Sequence, residues 1–255
     1  MLKDGNIVVL HDTTLLRTAA EGAGSWLPWL LSFIDGGRTR LTAPVGQLNL
    51  DEVRAVAVGD STHQERVPTF AEVLQVLLAP PPVTGSLGGG SQQRVAHMFA
   101  EIKAGGLSHS SGFDSRLTAG AAAAVLEAGV PPSALTWISF SLAALLDVKK
   151  HTPDHPTLLI QYVMTSHQAW AVARLAVDSG LDGIDLNADP SVVSKELVDW
   201  LHARGKRVAV WVWRAPAAND NARVWAHMER VGVDLFTSNL PPSLHEWITS
   251  SARSA

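Results

Sequence analysis

Short apolar runs that end in a polar residue or a glycine recur along the chain: Val95–Ile102, Leu135–Phe140, Thr157–Val163, Gly183–Leu186, Arg207–Trp213 and Val233–Thr237. Runs of this length and composition predict buried strands. Between them lie stretches with apolar residues at helical spacing. Ala119–Ala128 is alanine-rich, closes at Gly129 and is stopped by Pro131-Pro132. Leu142–Lys150 is ended by His151-Thr152-Pro153. Ser166–Asp178 has Ser166 as N-cap and Gly180 as its stop. Ser191–Arg204 takes Ser191 or Asp189 as cap, with Gly205 after it. Asn221–Val231 closes at Gly232, and upstream Thr69–Leu78 forms a further helix.

Strand and helix therefore alternate from residue 95 onward. That order predicts a parallel sheet with covering helices. Six strand signals stand where a closed (β/α)8 barrel needs eight, so the expectation is an incomplete TIM-type barrel. Ile7–Leu10 is expected to be a peripheral N-terminal β-arm. The segment 80–93, three prolines followed by a glycine-rich stretch, is expected to be a flexible surface loop inside a single domain spanning residues 1–255.

Composition narrows the partners. A net charge of −4, with no Lys/Arg patch, gives no electrostatic footprint for nucleic acid. With 0 cysteines, disulfides and thiolate metal sites are excluded, while the compartment stays open. No run is long enough to cross a bilayer, and the amino terminus has no basic-then-apolar leader pattern. The most apolar segment, Trp26–Ile34, contains Pro28 and has few basic residues in its flanks. That favours an insertion packed on the barrel over contact with a membrane surface.

Candidate chemistry sits at strand ends. Alternation in Met98–Lys103 puts Glu101 and Lys103 on one face and Ile102 on the other. Either the two form a plain ion pair, or Glu101 holds a hard divalent cation and Lys103 a phosphate. Trp211 and Trp213 share a face of their strand, as core aromatics or as an apolar wall beside a polar substrate. Gly232-Val-Asp-Leu-Phe-Thr237 runs into a proline-marked loop and reads as the last strand of an α/β unit. Near the amino terminus a turn, Lys3-Asp4-Gly5, feeds Ile7–Leu10 and delivers His11 and Asp12 to its end. His11 there is a site residue or the cap of a turn. The other histidines, His63, His97, His109, His151, His155, His167, His202, His227 and His245, lack a partner pattern and read as surface or structural.

Taken in order, these blocks resemble the glycerophosphodiester phosphodiesterase family. The Lys-Asp-Gly…His-Asp-x-Thr-Leu-x-Arg-Thr run falls at 3–18, a proline-threonine helix start at 67–74, Glu-Ile-Lys at 101–103 and a Ser-Phe strand end at 138–140. A Gly…Trp strand follows at 205–211, and Gly-Val-Asp at 232–234. The resemblance implies a barrel enzyme that hydrolyses glycerophosphodiesters to glycerol phosphate and an alcohol. It implies a divalent metal, calcium or magnesium, with Glu101 as one ligand, and two histidines as general acid and base, of which His11 matches one. It also implies phosphate contact by Lys103 and a pocket wall at Trp211. The His-Asp and Glu-Ile-Lys blocks speak against a phosphoinositide-cleaving lipase. The family's His-Arg-Gly and Glu-x-Asp motifs, carried by its first two strands, are absent from these 255 residues, and its late Thr-Asp is Thr237-Ser238 here. The expectation is a chain lacking the first two barrel strands, with weak metal binding and impaired hydrolysis. The alternative is a catalytically silent phosphate-binding module.

Overall fold

The computed structural model describes residues 1–16, 18–19, 41–59, 64–79, 96–103, 114–212 and 219–251. They form two compact units, residues 1–96 with 116–130 and residues 97–115 with 131–255. The apolar segment 26–34, the loop 80–93, Trp213, His63 and His109 lie outside the described residues.

The first unit is built from turns and short elements around Leu2, Leu15, Leu48, Val53 and Val67, all buried. The Lys3-Asp4-Gly5 turn closes with Leu2 N–H donating to Asn6 O at 2.8 Å, and Gly5 supplies the positive φ of 87°. A 3-10 turn, Val45–Gln47, leads into α1 (Leu50–Arg54). Asp4 Oδ2 accepts from Leu50 N–H at 2.9 Å, and Lys3 Nζ meets Glu52 Oε2 at 3.0 Å, so the turn is stitched to the start of α1. Asn49 and Glu52 form a capping box on α1, and Thr69 and Glu72 form one on α2 (Phe70–Leu78). Arg54 Nη2 donates to both oxygens of Glu72 at 2.6 Å. The amide of Thr69 and then the Arg54 guanidinium hold the Glu72 carboxyl down at about 2.

Ile7–Leu10 lies extended beside Pro68–Phe70, as an arm and not a stave of the large sheet. Its ladder is confined to one antiparallel bridge, Val8 with Thr69, flanked by Val9 N–H to Pro68 O at 3.0 Å and Phe70 N–H to Ile7 O at 2.8 Å. Pro68 has no N–H to donate, which limits the pairing. Two three-residue strands, β1 (Ala57–Gly59) and β2 (Gln64–Arg66), pair antiparallel and have no counterpart among the sequence expectations. β2 is exposed throughout and carries no apolar alternation to read.

The second unit holds six parallel strands in the order β3 (Met98–Glu101), β4 (Leu135–Ser139), β5 (Thr157–Gln161), β6 (Gly183–Asn187), β7 (Arg207–Trp211) and β8 (Leu235–Thr237). They curl into a half-barrel. α3 (Ser115–Glu127) connects β3 to β4, with 116–127 in the first unit. The remaining crossovers are α4 (Leu142–His151), α5 (Ser166–Asp178), α6 (Lys195–His202) and α7 (Ala222–Val231), and α8 (Pro241–Ser251) follows β8. Every residue of β4 and β6 is buried, as expected of a parallel sheet covered on both faces.

Several boundaries differ from the sequence expectation. Thr165, not Ser166, caps α5, accepting from Gln168 N–H at 3.2 Å. α6 starts after Ser194, because Asp189 spends its side chain on a local turn, accepting from the Ser191 amide at 2.8 Å and its hydroxyl at 2.7 Å. The proline-marked segment after β8 is a helix, with Pro241 at its first position, where a missing N–H costs nothing. Gly183 is required by close approach: a Cβ there would stand 2.0 Å from the Arg207 carbonyl oxygen.

Candidate active site

Cross-strand pairing decides which residues share a face. Glu101 pairs with Ile138, Ile138 with Leu158, Ile160 with Asp185, and Asp185 with Ala209. Ile138, Leu158, Ile160 and Ala209 form one buried cluster, so Glu101 and Asp185 stand on that same face. Asn187 and Trp211 pair one step further toward the carboxyl ends. Phe99, Phe140, Trp211 and Leu235 pack against the cluster. Trp211 meets Phe140 edge-to-face with ring centroids 5.9 Å apart, and Tyr162 at 6.5 Å. The Asn187 side chain accepts from Val163 N–H at 2.7 Å and ties the ends of β5 and β6 together.

Glu101 and Lys103, paired by alternation in the sequence, do meet: Lys103 Nζ lies 2.7 Å from Glu101 Oε2. The ion pair leaves the other oxygen unused. Glu101 Oε1 is buried without a hydrogen-bond partner among the described residues. Such an acceptor is expensive to bury unless a donor, a water or an ion pairs with it. Asp185 repeats the situation. It is 1% exposed, and its Oδ1 is also buried without a partner among the described residues. Burial first, and the Glu101 charge second, push the Asp185 carboxyl up to about 8. Asp185 is not among the site residues that the sequence nominates. The available signal was Gly183-Ile-Asp-Leu-Asn187, a fully buried strand with an aspartate on its core-facing side.

His11 belongs to the first unit. Its ring is exposed, and Nδ1 lies 2.8 Å from Asp12 Oδ1, an orientation that fixes which nitrogen is left to act. Several of the other described histidines make structural contacts. His97 Nε2 meets the Thr136 hydroxyl at 3.0 Å, His202 Nε2 meets Asp234 Oδ2 at 2.9 Å, and His227 Nε2 donates to Val193 O at 3.0 Å. Where the sequence shows Thr237-Ser238, the Ser238 hydroxyl turns to Asp220, at 2.9 Å from Oδ1 and 3.0 Å from Oδ2. Asp220 also accepts from Asn239 N–H at 2.7 Å and Trp225 Nε1 at 2.9 Å, so this buried acid orders the loop after β8. Among the described residues no cluster of three or more His, Asp or Glu forms a ready metal cage.

A half-barrel of parallel strands with its polar groups gathered toward the carboxyl ends is the arrangement of an incomplete α/β-barrel enzyme. The chain belongs to the glycerophosphoryl diester phosphodiesterase family, whose model matches residues 1–241. Solved structures agree on the fold. A Silicibacter pomeroyi protein assigned to these phosphodiesterases superposes with a TM-score of 0.70 at 20% identity, over 99% of this chain and 81% of that one. An Agrobacterium tumefaciens protein with the same assignment gives 0.71 at 19% identity, over 100% and 84%. An Oleispira antarctica phosphodiesterase, solved with the product sn-glycerol-3-phosphate, gives 0.62 at 19% identity, over 98% and 82%. No match was found among curated protein sequences.

Proposed function

We propose that this chain acts on glycerophosphodiesters as one domain, with Glu101 and Lys103 as the phosphate end of its site. The observation that carries this reading is the division of labour within Glu101: one oxygen pairs with Lys103, and the other is buried without a hydrogen-bond partner among the described residues. Membership of the hydrolase family supports the reaction class, and the match extends across both compact units. A divalent cation fits that unused oxygen, and when bound it would polarise the phosphoryl oxygens.

The chain's own residues account for the rest. The Lys103 ammonium, already desolvated on one side by Glu101, offers its remaining protons to a phosphate oxygen as a point charge. Trp211, held edge-on by Phe140, gives the substrate's carbon skeleton an apolar wall. His11, oriented through Nδ1 by Asp12, is suited to move a proton at Nε2.

A second reading is favoured by one specific observation. The 255 residues contain neither His-Arg-Gly nor Glu-x-Asp, the family's source of its other histidine and further acids. A site with one acid–base group turns over slowly, by about 10²–10⁴-fold for the group lost. The same residues would then serve as a phosphate-binding module. Incubating the chain with glycerophosphocholine, with and without Mg2+ or Ca2+, and measuring released glycerol phosphate tests the two. Slow, metal-stimulated release that drops further in His11→Ala supports the hydrolase. Binding of glycerol phosphate, abolished by Lys103→Ala, without any release supports the module. Neither release nor binding removes both.

A further inference from the structure

We propose that Asp185, on β6, joins Glu101, on β3, in holding a magnesium-class divalent cation on the core-facing side of the sheet. The inference rests on the reading of Glu101 given above and adds to it a ligand from a different strand. Three observations carry it.

The first is placement. The unbroken pairing from β3 through β6 puts Glu101 and Asp185 on one face, above Ile138, Leu158 and Ile160. The second is that both carboxyls carry an unused oxygen. Glu101 Oε1 and Asp185 Oδ1 are each buried without a hydrogen-bond partner among the described residues. Native structures rarely leave two such acceptors facing one apolar cluster, and a cation held between them across β4 and β5 would satisfy both.

The third is charge. Two carboxylates with the single Lys103 ammonium leave one net negative charge. Adding a dication makes the group singly positive, which complements the single negative charge of a phosphodiester.

The ligand count chooses the ion. Calcium takes six to eight oxygens, whereas magnesium keeps several waters and is held by one or two carboxylates together with substrate phosphate oxygens. Two carboxylates fit the second description.

The test is isothermal titration of MgCl2 into the full 255-residue chain, with Glu101→Gln and Asp185→Asn measured beside it. Each substitution should weaken Mg2+ binding at least about tenfold, the lower end of what even an outer-shell partner contributes. If Glu101→Gln weakens binding and Asp185→Asn does not, the proposal falls and the Glu101 reading stands. If only Asp185→Asn weakens it, the shared site and the Glu101 reading both fail. Absence of Mg2+ binding by the unaltered chain also removes both. Should a variant fail to fold, iron-directed cleavage of the unaltered chain decides. Fe2+ with ascorbate and peroxide should cut the backbone near residues 101 and 185 together, both cuts suppressed by excess Mg2+. Cuts near 101 alone, or no localised cuts, overturn the proposal.

Discussion

At the amino ends of β6 and β8 the acids are hydrogen-bonded to a neighbouring strand, and on the core-facing side two acids each keep an oxygen without a partner among the described residues. Asp182, just before β6, accepts from the Thr157 amide at 2.9 Å, the Thr157 hydroxyl at 2.8 Å and the Lys149 ammonium. Asp234, just before β8, accepts from the Val208 amide at 2.7 Å and meets His202 at 2.9 Å. Both sit at the same place in the repeating unit, after a glycine and an apolar residue: Gly180-Leu181-Asp182 and Gly232-Val233-Asp234. Each stitches the start of one strand to the start of its neighbour. Glu101 and Asp185 show no such stitching among the described residues, and each has one buried oxygen without a partner there. An acid that recurs with the repeat serves the sheet, while an acid that breaks the repeat and faces the core is a candidate for chemistry.

The largest expected effect separates the two groups by pH. In the folded, metal-free chain Asp185 holds its proton up to about 8, against an ordinary value of 3.8. Between those values the unfolded chain has released that proton and the folded chain has not. Stability therefore falls as pH rises through this window, with a slope of up to about 1.4 kcal/mol per pH unit. Asp185→Asn cannot ionise and should flatten that slope, so that the variant outlasts the parent at pH 8 in EDTA. Denaturant unfolding at pH 5 and pH 8 checks this. A variant as pH-dependent as the parent would mean that Asp185 titrates normally.

The next effect is at the amino end. Gly183→Ala places a Cβ 2.0 Å from the Arg207 carbonyl, where backbone and not a flexible side chain must yield. The loss should be about 3 kcal/mol, the upper range for overpacking. Urea midpoints measure it, and a loss below about 1 kcal/mol would show that β6 and β7 can separate without penalty.

Much of this contrast could be read in the sequence, and the unread part has physical causes. Six strands emerged because a doubly covered parallel sheet writes each one as an apolar run, and glycines closed the helices between them. The Glu101–Lys103 pair emerged because a strand alternates with period two, so two charges flanking Ile102 must share a face. Asp185 did not emerge. Its strand was legible as Gly183–Leu186, but alternation alone does not say which face of it meets Glu101, and only cross-strand register does. The three-residue strands β1 and β2 were invisible because they bury too little to impose a pattern. The caps shifted because neighbouring residues compete for one helix start, Thr165 with Ser166 at α5 and Asp189 and Ser191 with Ser194 at α6, where Asp189 and Ser191 bond to each other in a local turn.

The smallest effect concerns Asp182 and tests whether the stitch works through charge. Burial pushes its carboxyl up, but the hydrogen bonds from Lys149 and Thr157 outweigh that and leave it below the ordinary 3.8. A lowered folded value means that stability is fully present above 3.8 and is lost as pH falls through the folded value. Asp182→Asn keeps the shape and one acceptor oxygen and removes the charge. Because the side chain is 37% exposed, solvent screens the Lys149 pair, and the expected cost near pH 7 is about 1 kcal/mol. That cost should shrink as the buffer is taken below pH 3.8, where the parent's own carboxyl becomes protonated. A cost that stays constant down to the acid limit would assign the stitch to hydrogen-bond geometry alone. The contrast with Asp185 would then rest on partners rather than on charge.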